Sequence, residues 1–144
     1  MRPAFPTIHA CALIVGDAGL LIRGPSRSGK SSLTLALLAA AEAEGRFARL
    51  VADDRVGLSV EGGQLFGAPH PLIAGQIEQR GTGILTLPYE GKARLTHVID
   101  LVGGPEGPIR PIGKIRVEGV ELDQIEIPAS LPKEAAALEL LAKI

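Results

Sequence analysis

The chain has 144 residues, 46% of them hydrophobic and 22% charged, with a formal net charge of −1. That length suits one domain with a sizeable core, and the balanced charge gives no pull toward nucleic acid or a membrane surface. Aromatic residues are only 3%, which argues against a base-stacking surface, and the single cysteine, Cys11, excludes an internal disulfide.

In chain order, residues 11–15 (CALIV) and 20–23 (LLIR) are short apolar runs separated by Gly16-Asp17-Ala18-Gly19, which predicts a β-hairpin. The whole stretch is broken by Gly and Asp and too short to span a bilayer. Nothing before it has the basic-then-apolar pattern of a signal peptide, so the cytoplasm is the expected compartment. The run SSLTLALLAAAEAE predicts a helix from Ser31 to about Glu44, stopped by Gly45. FARLVADD reads as a strand ending in two aspartates, so strand, loop, helix and strand make a βαβ unit. Short strand-like pieces punctuated by Gly and Pro follow, and helical periodicity returns only in PKEAAALELLAKI, with Leu138, Leu141 and Ile144 as its expected apolar face. No repeat or low-complexity tract interrupts residues 1–144, which are expected to form one domain. The fold class expected is α/β: a mixed, β-rich sheet with one main loop-following helix and a C-terminal helix.

The chemistry concentrates between the hairpin and the helix. Gly24-Pro25-Ser26-Arg27-Ser28-Gly29-Lys30-Ser31 satisfies G-x-x-x-x-G-K-[ST], with Ser32 next. Glycines let backbone N–H groups turn inward around an anion, and the helix behind adds its positive end. Lys30 can reach β- and γ-phosphates, and the Ser31 hydroxyl can sit on Mg²⁺. ATP and Mg²⁺ are therefore the expected ligands. Asp53 and Asp54 end the strand that the helix returns, where ligand chemistry lies in α/β sheets. One carboxylate can serve the metal while the other accepts a proton from an attacking hydroxyl. By local sequence alone His9 reads as an exposed terminal residue. Glu78 and Arg80 read as a charged strand end before the Gly81-Thr82-Gly83 turn, His70 as a loop residue, His97 as a strand residue and Cys11 as core.

Taken together, IHA before the hairpin, GPSRSGKSSLTLALL, RLVADDRV, GAP and IEQRGTGIL resemble, in order and spacing, the catalytic domain of HPr kinase/phosphorylase over about residues 7–102. The resemblance implies a P-loop kinase fold of the kind shared with PEP carboxykinase. It also implies an ATP-dependent serine kinase acting on an HPr-type phosphocarrier of a phosphotransferase system. His9 matches the family's active-site histidine, Lys30 its catalytic lysine and Ser31 a magnesium ligand. Asp54 matches the proton acceptor in the kinase direction and the donor in dephosphorylation, with Asp53 beside it as a further metal-side carboxylate. Glu78 matches the second metal position, and Arg110 in PIRPIG stands for a family arginine. The resemblance further implies a homo-oligomer, hexameric in the family, and a truncated form without the usual N-terminal domain. Two departures stand out: Gln79 and Thr82 replace apolar residues of the E-x-R-G-x-G-I signature, and IPASLPKEAA lacks the Gly-Arg of the segment linked to phosphorylase activity. A small-molecule kinase and a non-catalytic ATP-sensing module remain open on the residues alone.

Overall fold

A strand such as CALIV carries apolar side chains on both faces and must be covered twice. A computed structural model describes residues 7–104 and 106–144 and shows how this is done. Its elements are β1 (Thr7–Ile8), β2 (Cys11–Val15), β3 (Ala18–Arg23), α1 (Lys30–Ala43), β4 (Ala48–Ala52), β5 (Val56–Glu61) and β6 (Gln64–Pro69). They continue with β7 (Gln76–Gln79), β8 (Gly83–Thr86), β9 (Ala93–Arg94), β10 (His97–Val102), β11 (Arg110–Val117), β12 (Val120–Pro128) and α2 (Lys133–Leu141).

Six strands form the central sheet in the order β11-β12-β10-β3-β2-β4; β10 runs parallel to both β3 and β12, and the remaining pairs are antiparallel. Alternation along each strand sorts the core into two halves. Cys11, Leu13, Leu20, Ile22 and Ile99 face α1 and α2, meeting Leu33, Leu37, Ala136 and Leu140. Ala12, Leu21, Val98 and Leu122 face the other way and meet Val56, Leu58 and Leu65 of a smaller sheet, ordered β1-β5-β6-β9. Each fully buried leucine or isoleucine contributes about 1.5–3 kcal/mol, so this double cover supplies most of the driving force. The expected α/β class, with a mixed sheet, one loop-following helix and a C-terminal helix, is the architecture observed. Among the described residues, no helix is long and apolar enough to cross a membrane.

Three local expectations are corrected. The hairpin turn is only Gly16-Asp17, because Ala18 and Gly19 already belong to β3 and pair with Val15 and Ile14. Gly19 serves a close approach: a Cβ there would lie 1.9 Å from the Arg94 carbonyl oxygen, so any side chain would push the two sheets apart. Secondly, β4 is not β3's neighbour. The hairpin strand β2 lies between them, antiparallel to both, so the helix crossover skips one strand. Thirdly, the buried face of α2 is Ala136, Ala137, Leu140 and Leu141, while Leu138 is 57% exposed. The two alanines bring α2 close against α1, and that contact, rather than the leucine spacing, sets the helix's rotation.

The helix α1 ends as the sequence implies. Glu44 caps it, Gly45 adopts φ +72°, and the Gly45 amide donates to the Glu42 carbonyl at 3.0 Å.

Candidate active site

The glycine loop joins β3 to α1, and its root is fixed sideways. Arg23, the last residue of β3, makes two hydrogen bonds to Asp100 on β10, Nε to Oδ1 at 2.8 Å and Nη2 to Oδ2 at 2.9 Å. Gln124 on β12 donates to the same carboxylate at 2.7 Å. Burial raises the Asp100 pKa, but the hydrogen bonds from Arg23 and Gln124 outweigh it and hold the carboxyl below its usual value. This anchor was absent from the sequence reading, although a charged residue closing an apolar strand immediately before the loop was its visible sign.

At the other end of the loop, Gly29 precedes α1 with φ +98°, and no side chain caps the helix. The first-turn amides of α1 are thus presented to the cleft, the arrangement that favours an anion. Lys30 Nζ donates to the carbonyls of Gly24 and Pro25 at 2.8 and 3.2 Å, holding its charge across the loop. Behind Gly29 lies Lys133 of α2: a Cβ on Gly29 would come 2.5 Å from its Cε. Lys133 Nζ in turn donates to the carbonyls of Ala129 and Leu131 at 2.7 and 3.2 Å, and burial lowers its pKa from the usual lysine value.

The aspartates diverge. Asp53 follows β4, is 8% exposed, and collects three donors from three elements. Ser31 Oγ of α1 donates to Oδ1 at 2.6 Å, Cys11 Sγ of β2 to Oδ1 at 3.0 Å, and the Glu78 amide of β7 to Oδ2 at 3.0 Å. Asp54 takes φ +68°, a region uncommon outside glycine but tolerated by aspartate. Its side chain is 67% exposed, with His9 Nδ1 3.7 Å from Oδ1. A backbone outlier of this kind is a pointer to function, because other interactions must hold it there.

A cleft of about 360 Å³ lies between these groups. Ser26, Arg27, Gly29, Lys30, Ser31 and Ser32 line one side, and Asp53, Asp54, Glu78 and Arg80 the other. Gly24, Pro25 and Ser28 belong to the loop without lining the cleft. Ser28 packs beneath it with its Oγ buried and without a partner among the described residues. His9 stands at the rim through Asp54.

Arg110 is not brought to the cleft. It begins β11 and donates to Glu126 at 2.8 Å. Arg110, Glu126, Asp100 and Arg23 stand in register as one row across β11, β12, β10 and β3. Three strand spacings, about 14 Å, therefore separate it from the strand that feeds the loop.

Two lining residues were read otherwise from sequence. Cys11 is core by burial yet touches the cleft; the hairpin register, which sets Cys11 opposite Ile22, places it beside the loop's root. Burial and the Asp53 charge push its thiol up to about 12, so it stays protonated and donates. Arg80, just past the end of β7, lines the cleft with Glu78.

The donors suit a hard cation. The Ser31 hydroxyl and the carboxylates of Asp53 and Glu78 offer oxygen atoms to the cleft, the donor type a magnesium ion takes, and few enough to leave positions for water and phosphate. No closed cluster of three or more His, Cys, Asp or Glu side chains occurs among the described residues, and none is needed for such a site.

Comparison with known proteins gives these positions a context. Residues 4–94 match the family model described as HPr Serine kinase C-terminal domain. The HPr kinase/phosphorylase of Mycoplasma mycoides is 29% identical over 136 residues, 85% of this chain and 42% of that protein. That of Brevibacillus brevis is 42% identical over 82 residues, 56% of this chain and 24% of that protein. The chain thus spans between about a quarter and two-fifths of the length of these curated relatives. The solved structure of the Hpr(Ser) kinase/phosphatase from Coxiella burnetii superposes with a TM-score of 0.78 at 26% identity, covering 96% of this chain and 95% of that one.

Proposed function

The chain belongs to the HPr serine kinase C-terminal domain family, and on that premise we propose that it transfers the γ-phosphoryl group of ATP to a seryl hydroxyl of an HPr-type phosphocarrier. The observation that carries this reading is the joining of Ser31, Asp53 and the Glu78 backbone by hydrogen bonds directly beside the amides that open α1. Loop amides and Lys30 hold the phosphates and neutralise their charge. Ser31, Asp53 and Glu78 would hold magnesium, which would supply positive charge to offset that of the phosphates. The seryl oxygen forms a bond to the γ-phosphorus as the bond from that phosphorus to the ADP oxygen breaks, and the bonding electrons leave with ADP. Asp54, turned out of the Asp53 cluster, accepts the seryl proton, and His9 orients its carboxylate. Such transfer is mostly positioning and charge stabilisation, which strand ends and a helix terminus provide. A homo-oligomeric state, hexameric as in the family, and a cytoplasmic setting belong to the same proposal.

The test is incubation with γ-labelled ATP and a purified HPr-type carrier. Label is expected on a carrier serine, with added inorganic phosphate reporting any reversal. Asp54→Asn keeps a residue that tolerates positive φ and should lower the transfer rate by about 10²–10⁴-fold. Lys30→Ala should abolish transfer while circular dichroism shows the fold retained, with at most a modest fall in the unfolding midpoint from the two lost hydrogen bonds to the Gly24 and Pro25 carbonyls. Label appearing on a small metabolite, ATP bound but left intact, or an Asp54→Asn variant with undiminished transfer would each overturn the assignment.

A further inference from the structure

Cys11 has no part in the mechanism above, yet its thiol lies against the carboxylate at the centre of the site. Its place follows from strand order. The strand β2 lies between β3, which feeds the glycine loop, and β4, which ends beside Asp53. Ala12 pairs with Ala52, so one step further along the antiparallel ladder sets Cys11 beside Asp53. Alternation turns the Cys11 side chain toward α1, in the same cluster as Leu13, Val15, Leu20 and Ile22. Those four are aliphatic, and Cys11 alone among them carries a hydrogen that can be donated. Ser31, in the first turn of α1, reaches the same point, with its Oγ 3.9 Å from Cys11 Sγ.

The lone pairs of Asp53 define what the thiol does. An ionised carboxylate has about four acceptor positions, two on each oxygen. Oδ1 takes the Ser31 hydroxyl at 2.6 Å and the Cys11 thiol at 3.0 Å, so both of its positions are filled. Oδ2 takes the Glu78 amide at 3.0 Å, which leaves one position open on that oxygen. Ser31 spends its only hydroxyl proton on Asp53, so its own lone pairs stay free for a ligand. We infer that Cys11 is a positioning residue: by filling the second position on Oδ1, its thiol fixes the Asp53 carboxylate, and the Ser31 hydroxyl bonded to it, in the orientation that presents Oδ2 and the Ser31 oxygen to a cation in the cleft. The inference rests on the cation assignment within the kinase reading and adds a residue that acts through Asp53. Without the thiol, Oδ1 has an empty position inside a buried site, and the carboxylate is free to turn about its terminal torsion, which has only broad preferences. Ordering it then falls to the cation, and losing an outer partner of this kind costs about 10–100-fold in metal affinity.

The experiment measures Mn²⁺ binding to the whole chain by electron paramagnetic resonance, with Mg²⁺ as competitor, in wild type, Cys11→Ser, Cys11→Ala and Cys11→Val. Serine and alanine are close to cysteine in size, and only serine donates; valine is a larger side chain without a donor, and it repeats the test if the alanine variant folds poorly. Urea unfolding of each variant reads packing separately. Cys11→Ala and Cys11→Val should each weaken Mn²⁺ by about tenfold or more, with Cys11→Ser staying within about threefold of wild type. One binding constant shared by all four proteins overturns the inference, and so do serine and alanine weakened alike. An order that follows side-chain volume, tracking the unfolding midpoints, makes Cys11 a packing residue and also overturns it. Wild type that takes up no Mn²⁺ overturns the cation assignment and the inference together. The expected order of variants in a protein that labels no carrier upholds the positioning role and overturns the kinase reading alone.

Discussion

Gly29→Ala gives a sharp measure of how α2 supports the glycine loop. Two separable costs follow from the structure. The backbone stands at φ +98°, where a Cβ costs about 1–2 kcal/mol. That Cβ would also lie 2.5 Å from Lys133 Cε, so the lysine must swing away from the Ala129 and Leu131 carbonyls. Hydrogen bonds to a charged group are worth about 1.5–3 kcal/mol, but Lys133 is only partly buried and water replaces much of the loss. The displacement should cost about 1–2 kcal/mol, giving about 2–4 kcal/mol in all. Lys133→Ala removes the obstruction and leaves the φ strain. A double-mutant cycle read by urea unfolding should therefore show Gly29→Ala costing about 1–2 kcal/mol less in the Lys133→Ala background. Additivity within about 0.5 kcal/mol would refute the packing argument, because contact-free pairs behave that way.

Other measurements test the anchor and the buried thiol. Cys11, raised to about 12 from 9.0, should alkylate at pH 8 about a thousandfold more slowly than an exposed thiol in the native protein, and at the ordinary rate in denaturant; fast native labelling would contradict its burial against Asp53. Asp100→Asn should destabilise the fold by about 1–2 kcal/mol at pH 7, since Arg23 loses its partner charge. The Asp100 carboxyl is held below 3.8 when folded, so its contribution is full well above that value and is lost as pH falls through the lower folded value. The gap between wild type and variant in unfolding midpoint should thus begin to narrow as pH falls below about 4 and close only once pH has passed the lower folded value; a gap that stays constant through acid titration would exclude the ion pair as its source.

How far the sequence reaches differs from element to element. The loop and α1 were legible because their signals are local: glycines at fixed spacing, a lysine and serine, then a leucine- and alanine-rich run closed by Gly45. The hairpin was legible in outline, but its turn was placed two residues too long, since Gly19 signals a close approach between sheets and not a turn. Rotation of α2 was misread because Ala136 and Ala137, weak in any hydrophobic count, win the contact with α1 by being small. Arg110 looked like a site candidate by position along the chain, and sheet order moved it away.

What the sequence determined by itself was the glycine-rich loop and the helix behind it, because each rests on backbone conformation and residue type within one short segment. What only the tertiary structure decided was the division between the two aspartates, the arrival of Cys11 and Arg80 at the cleft and the Arg23–Asp100 anchor. Those depend on strand order across the sheet. They are contacts between residues dozens of positions apart, set by which apolar faces must be buried together, and no local pattern encodes that choice.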